Sequence, residues 1–367
     1  MDAVILVGGR GTRLRPLTLD TPKPMLPVAG RPLIERVVAG VAGRGVDRVV
    51  LSLGYRPDAF ITYFHDDRIA GLPVHYAVEP EQLDTGGAIR FAAEHASVDG
   101  PFWVLNGDVL ADRDLDGIRR VHNSLGADAT IALIPVDDPS RFGLVTTDDD
   151  GRVTGFVEKP EPGTAPTNEI SAGTYLFEPS VLEMIPPDRR VSVERETFPA
   201  LVEAGALAAH CSAGYWLDTG TAEQFRQACR DVAAGDAPPT TEAQAWVGGW
   251  RHPTVSIPLD ADIVSSFIGE GSTVGTGSRI VETTMGTSVR IGAGSELVDV
   301  VVMDGATIGP TTRVSHSVIG YGAAIAEQAV LDDCVVGTGA VVGAGEHLSG
   351  VRRPGDADGA SEPGTAS

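Results

Sequence analysis

Apolar residues in the last third of the chain recur with gaps of six, six and five, a pattern that few folds can satisfy. The series runs Ile268, Val274 and Ile280; Met285, Ile291 and Leu297; Val302, Ile308 and Val314; Ile319, Ile325 and Leu331; then Val336 and Val342. Each member has its equivalent 17 positions on, and Ile257 and Ile263 extend the series backwards. Glycine follows Ile268, Val274, Met285, Ile291, Ile308, Ile319, Val336 and Val342. An α-helix repeats at about 3.6 residues and an open strand at about 2. A coil with three flat sides and one inward apolar residue per side has the longer period seen here. The pattern predicts a parallel β-helix over 251–350. Trp246 and Trp250, just ahead of it, are expected to cover its open end, because terminal repeats need a cap.

Residues 1–235 alternate short apolar runs with segments of helical spacing. Val4–Val7, Val49–Leu53, Val74–Val78, Phe102–Leu105 and Thr130–Val136 read as strands, several nearly continuous in apolar residues, as in a sheet covered on both faces. Leu33–Ala42 and Ala88–His95 read as helices, and another starts at Ala222, where Thr221 and Gln224 make a capping box. The alternation predicts a Rossmann-like α/β domain with its ligand at the carboxyl ends of the strands. Residues 236–250, with the Pro/Thr-rich stretch Asp236–Thr241, are read as a linker, and 351–367 as a disordered tail.

The formal net charge is −22. That argues against nucleic acid or an anionic membrane surface as a partner, and any site for an anionic ligand must be locally basic. Cys211, Cys229 and Cys334 have neither paired nor metal-type spacing. The N-terminus has no basic leader, and no run reaches the roughly 18 to 20 apolar residues that span a bilayer. A cytoplasmic protein is expected.

Local basicity appears directly after the first strand, in Gly8-Gly9-Arg10-Gly11-Thr12-Arg13-Leu14-Arg15-Pro16, followed by Thr21-Pro22-Lys23-Pro24. Glycines let a backbone turn its N–H groups towards a phosphate at close range, and Arg13 and Lys23 add charge. No Gly-Lys-Ser/Thr follows, so this is not a Walker loop. Leu14 stands at the third glycine of a dinucleotide fingerprint, so it is not that either. Asn106-Gly107-Asp108 ends the fourth strand, and Asp218 lies in Tyr215-Trp216-Leu217-Asp218. A lone aspartate at such a place is commonly a turn or cap residue. Two from distant segments meet the need of Mg²⁺, which takes one or two carboxylates beside phosphate oxygens and water.

The pair Gly-Gly-x-Gly-Thr-Arg-Leu-x-Pro and Pro-Lys-Pro resembles the sugar nucleotidyltransferases, and within them the GDP-mannose pyrophosphorylase (guanylyltransferase) branch. The repeats are similar to hexapeptide-repeat proteins, which implies a left-handed helix. The resemblance implies that Gly8, Gly9, Gly11, Thr12, Arg13, Lys23 and Asp108 bind the nucleoside triphosphate, with Asp108 and Asp218 carrying Mg²⁺. It makes Glu79–Ala88 the base-reading loop, through Leu83, Thr85 and Gly86, with Asp84 where the family has glycine. Aspartate tolerates the left-handed backbone this needs. In Phe156-Val157-Glu158-Lys159-Pro160, after an expected hairpin at Asp149-Asp150-Gly151, Glu158 would bind sugar hydroxyls and Lys159 the phosphate. Gly143, in Arg141-Phe142-Gly143, would let the backbone pass a sugar edge. Asn168, Ser171 and Asp218 would face the sugar phosphate, Ser171 standing where the branch has an asparagine.

The implied reaction joins a nucleoside triphosphate, GTP by preference, to a sugar-1-phosphate, mannose-1-phosphate by preference, releasing pyrophosphate. Arg13, Lys23 and Lys159 are its catalytic cations. Rivals are the same chemistry on glucose, heptose or cyclitol phosphates or with another base, a silent regulatory homologue, and a hexapeptide acyltransferase using His316. Homo-oligomerisation through the β-helix is expected.

Overall fold

The computed structural model describes residues 1–139, 142–158, 166–235 and 243–354. The chain divides into two compact units: Met1–Gly9 with Ile34–Asp218, and Arg10–Leu33 with the chain from Thr219 onward.

In the first unit the apolar runs become a parallel sheet. Strands β1 (Asp2–Leu6), β2 (Arg48–Leu53), β3 (Leu72–Val78) and β4 (Phe102–Asn106) lie in the order β4-β1-β2-β3. Val4, Val50, Ala77 and Val104 on them are fully buried. Helices α1 (Leu33–Ala39), α2 (Asp84–His95) and α3 (Leu115–Leu125) occupy connections between strands. Beyond β4 the chain adds β5 (Val109–Ala111), β6 (Ala129–Pro135), β7 (Gly143–Thr147), β8 (Val153–Glu158), β9 (Glu169–Phe177), β10 (Leu207–Cys211) and β11 (Trp216–Asp218). Strand β9 runs antiparallel to β4 on one side and to β6 on the other. The α/β alternation did not announce this reversal; β9 follows the β7–β8 hairpin, and an antiparallel strand needs no helical crossover.

In the second unit the period of the apolar residues is the period of the backbone. Parallel partners are 17 residues apart, as in Asp262↔Arg279, Phe267↔Thr284 and Thr273↔Arg290. Ile268, Ile280, Met285, Leu297 and Ile319 point inward and are fully buried. Corners recur on the same spacing with left-handed backbone: Ser265, Glu282, Asp299, His316 and Asp333 form one such ladder. Hydroxyls satisfy the corners from within; Ser272 Oγ donates to Gly286 O at 2.7 Å and accepts from Val289 N at 3.0 Å. On one outer side Arg279 bridges Asp262 at 3.5 Å and Glu296 at 2.8 Å.

Part of the segment read as a linker belongs to this stack. Gln244–Trp246 and Gly249–Arg251 form a hairpin whose second strand pairs in parallel with Ser266–Ile268. Trp246 packs on the end of the apolar core, the capping role expected of it. Residues 236–242 lie outside the described residues, as do 355–367 of the tail. Arg352–Arg353, read as tail, pairs with Val335–Val336 as a further strand.

Helix α4 (Ala222–Ala234) starts at the predicted Thr221/Gln224 capping box. It covers one side of the coil, whose outward residues Phe267, Val301 and Val318 are consequently buried. Two arginines of α4 converge on the corner carboxylate of Asp299: Arg226 Nε at 3.0 Å, and Arg230 Nη1. Arg226 and Asp299 are 5% and 6% exposed, so neither charge can be left to water. The segment Arg10–Leu33 belongs here too, with Pro27 O accepting from Cys229 Sγ of α4 at 3.9 Å.

Removing one partner of a buried ion cluster strands the others. Asp299→Asn keeps a residue that tolerates the left-handed corner and is expected to cost about 3–5 kcal/mol in denaturant unfolding. Arg279→Ala, in the exposed ladder, is expected to cost at most about 1 kcal/mol. Equal losses would contradict this account of the cluster.

Candidate active site

The carboxyl ends of β1 to β4 collect Gly8, Gly54, Glu79 and the Asp108 turn. After β1 comes Gly8, whose missing side chain lets it lie against Gly54, beyond β2, and Glu79, beyond β3. A Cβ on Gly8 would stand 3.3 Å from Glu79 Oε1 and 3.4 Å from Gly54 N. After β4, Gly107 N donates to Leu6 O at 3.0 Å, and a Cβ on Gly107 would fall 2.4 Å from Val7 Cγ1. The Asp108 turn is therefore pressed against the end of β1.

A small second ladder brings Asp218 to the same place. Strands β5 and β11 pair antiparallel with Val109 opposite Asp218, so Asp108 precedes the residue that Asp218 faces. The two aspartates, distant in sequence, lie at one end of this ladder. Neither is fully buried.

The residues expected around the sugar lie on neighbouring strands. Gly143 opens β7 and pairs with Glu158 at the end of β8. Lys159 and Arg141, and the side chain of Glu158, lie outside the described residues. Ser171 is on β9 before an irregularity in its pairing with β6, and its hydroxyl is 3.3 Å from Tyr175 Oη. Within that irregularity Gly173 has φ +69°, and a Cβ there would be 2.6 Å from Asn106 Nδ2. Trp216 Nε1 donates to Ala172 O at 3.1 Å, and its ring meets Phe142 edge-on at 5.4 Å. Asn168 precedes β9, exposed, with its carbonyl accepting from Val136 N at 3.0 Å.

The loop expected to read the base carries a more structural load than its sequence suggested. Asp84 does take the left-handed backbone, at φ +60°. Thr85 Oγ1, however, donates to Glu194 Oε2 at 2.8 Å and accepts from Val193 N at 2.9 Å. Gly86 N donates to Val191 O at 2.7 Å, and a Cβ on Gly86 would stand 3.1 Å from that oxygen. Thus Thr85 and Gly86 dock the start of α2 on residues 191–194, while Leu83 is buried.

Glu79 is the residue the sequence reading passed over. Its Oε2 accepts from Leu83 N at 3.1 Å and its Oε1 from Ser52 Oγ at 2.9 Å. Burial pushes its pKa above the ordinary glutamate value, against the lowering effect of those two hydrogen bonds. The available signal was position: an acid directly after an apolar strand, at the edge where ligands bind.

The cationic segment belongs to the second unit and is built from three short 3₁₀ turns, Thr12–Leu14, Leu17–Leu19 and Lys23–Met25. Gly11 has φ +59°, and its carbonyl accepts from Thr18 Oγ1 at 2.8 Å. Leu14, Leu17 and Leu26 anchor the segment in the core. Thr12 and Arg13 stay exposed, whereas Lys23 is 6% exposed. Histidine 316, the residue of the acyltransferase alternative, is exposed on the β-helix and paired with Asp332 at 2.9 Å.

The sequence profile of the nucleotidyl transferase family matches residues 2–235, and that of the GlmU-like C-terminal hexapeptide matches 259–333. A mannose-1-phosphate guanylyltransferase of Mycobacterium tuberculosis is 41% identical over 283 residues, 76% of this chain and 78% of that protein. A mannose-1-phosphate guanyltransferase of Candida albicans is 39% identical over 229 residues, 61% of this chain and 62% of its own length, so the match spans less than two thirds of that relative. Among solved structures, HddC from Yersinia pseudotuberculosis has a TM-score of 0.55 at 34% identity, over 63% of this chain and 99% of that one. A second crystal structure of that protein, with a TM-score of 0.54, is a complex with GMP-PN.

The geometry of the glycines makes unequal demands. Gly107→Ala should destabilise the protein by about 1–3 kcal/mol, the usual cost of overpacking. Gly9→Ala, whose Cβ meets nothing within 4 Å, should change thermal unfolding by less than about 0.5 kcal/mol. A tolerated Gly107→Ala would refute the close approach of the Asp108 turn to β1.

Proposed function

We propose that this chain, which belongs to the nucleotidyl transferase family, transfers the guanylyl group of GTP to mannose-1-phosphate, releasing pyrophosphate and forming GDP-mannose. The observation that carries the reading is the β5–β11 register, which gathers Asp108 and Asp218 at the edge where Gly8 and Glu79 lie. The 41% identity to a mannose-1-phosphate guanylyltransferase over most of both chains supports the choice of substrates.

A sugar phosphate oxygen is already anionic at neutral pH, so no general base is needed. It attacks the α-phosphorus in line; the new P–O bond forms as the bond to the β-phosphate bridging oxygen breaks, and pyrophosphate leaves with its electron pair. The chain's part is positioning and charge neutralisation. Gly8, Gly9, Gly11 and Thr12 would let backbone N–H groups reach the phosphates. Arg13 and Lys23 would stabilise charge on the leaving pyrophosphate, and Lys159 would hold the attacking phosphate. Gly143, Glu158, Asn168 and Ser171 would line the sugar.

The donor set at Asp108 and Asp218 fits Mg²⁺. Both are hard oxygen donors, and among the described residues no group of three or more His, Cys, Asp or Glu stands ready to enclose an ion. A Mg²⁺ site built on substrate phosphates has this character, two carboxylates with the other ligands from substrate and water. Bound there, the ion supplies charge neutralisation at the α-phosphate.

Glu79 supports guanine. The N1–H and N2–H donors of guanine lie side by side on one edge, and a carboxylate with unused lone pairs can accept both. Adenine offers no such pair. The Ser171–Tyr175 contact, where the branch has asparagine, keeps open the same chemistry on another sugar-1-phosphate. No described helix is long and apolar enough to cross a membrane, and a cytoplasmic location is part of this reading. Assembly through the β-helix is part of this reading.

The first test is pyrophosphate release with four triphosphates against several sugar-1-phosphates, with GTP and mannose-1-phosphate expected to give the highest kcat/KM. Asp108→Asn or Asp218→Asn should each lower turnover by about 100-fold or more while leaving the melting temperature near wild type. Near-normal turnover in either would remove that carboxylate from the chemistry. Glu79 gives a pH-dependent test. Its raised pKa means that acidification protonates it, and deletes an acceptor, at pH values where exposed glutamates are still ionised. KM for GTP should therefore rise on the acid side in the wild type and stay flat, though higher, in Glu79→Gln. A shared acid limb in both proteins would assign it elsewhere.

A further inference from the structure

The β5–β11 ladder that carries both aspartates is three residues long on each strand, too short to hold itself in place. One edge of β5 faces β11. Asp112 N donates to Tyr215 O at 2.8 Å, so the C=O of the same trans peptide, Ala111 O, points to the opposite edge. Val109 O, two residues back, shares that edge. Among the described residues no strand pairs there; a guanidinium does. Arg113 Nη2 donates to Val109 O at 2.8 Å and Nη1 to Ala111 O at 3.2 Å. Its Nε donates to Thr174 Oγ1 of β9 at 3.1 Å, tying β5 to the main sheet.

This arginine has no ordinary reason to be buried. It is 6% exposed, and its hydrogen bonds go to backbone carbonyls and a hydroxyl, with the charge of Asp112 only nearby. Burial, with Arg44 nearby, holds its pKa down to about 10, so it keeps its charge at neutral pH. Gly40 helps to house it, for a Cβ there would stand 3.4 Å from Nη1. Such a costly side chain is spent entirely on the backbone of a three-residue strand and one hydroxyl. Its partner Val109 directly follows Asp108, and Val109 and Ala111 pair with Asp218 and Trp216.

We infer that Arg113 is the positioning residue of the metal site: by occupying the open edge of β5 it sets the spacing of the Asp108 and Asp218 carboxylates. The inference rests on the Mg²⁺ role proposed for those two residues. A residue that orients metal ligands from behind typically controls affinity by 10- to 100-fold.

The test uses Mn²⁺ as a spectroscopic probe, titrated by electron paramagnetic resonance into the full-length protein with α,β-methylene GTP. Arg113→Met, the same length without the donors, should weaken Mn²⁺ about 10-fold or more. Arg113→Lys, which can reach one carbonyl, should fall between it and the wild type. Thr174→Val, which cuts only the tie to β9, should move in the same direction and serves if Arg113→Met does not fold. Wild-type Mn²⁺ affinity in folded Arg113→Met, or in Thr174→Val where Arg113→Met does not fold, would overturn the inference. Asp218→Asn separates the two ideas. If it loses Mn²⁺ while the Arg113 variants do not, only the positioning role fails. If it too binds Mn²⁺ normally, the metal assignment fails and takes this inference with it.

Discussion

Main-chain pairing between β5 and β11 is the constraint on which the site depends. Asp108 and Asp218 belong to segments separated by most of the first unit, and no local rule of sequence brings them together. The ladder does so with one register, Val109 opposite Asp218. A slip of one residue would turn each side chain to the other face. The register has to be imposed from outside so short a pair, by Gly107 pressed against β1 at one end and by the guanidinium of Arg113 along the open edge of β5.

The surrounding sheet explains why the site gathers where it does. Parallel strands deliver all their carboxyl ends to one edge, so Gly8, Gly54, Glu79 and Asp108 meet without any one of them specifying the others. Where the backbone crowds, side chains are missing: Gly8 against Gly54, Gly107 against Val7, Gly86 against Val191. These glycines do not all have the same task. Gly86 is needed for docking α2, and Gly9 has open space before it, which leaves it able to approach a phosphate.

Legibility in the sequence followed how local each determinant is. The 17-residue period was plain because every coil repeats the same inward positions, and Ile268, Met285, Val302 and Ile319 are stacked neighbours as well as sequence equivalents. The parallel strands showed through their apolar runs, and α4 through its capping box. The antiparallel passage of β9 did not show, since an apolar run carries no mark of direction. Nor did Arg113, Glu79 or Asp299, each a charged residue in a polar stretch whose burial is decided by what packs over it. The grouping of Arg10–Leu33 with the chain from Thr219 onward was equally hidden, because a motif read for its chemistry says nothing about what supports it.

That grouping bears on how an acidic chain keeps a basic segment. The net charge of −22 makes every exposed cation attractive to many carboxylates, and a flexible Arg/Lys loop would be neutralised by its own protein. The segment instead is fixed by apolar anchors, Leu14, Leu17 and Leu26, and by backbone bonds within its 3₁₀ turns. It packs in one unit with α4, which is itself clamped to the β-helix through Arg226, Arg230 and Asp299. The coil, through α4, thus supports the segment whose charge is proposed to meet an anionic substrate.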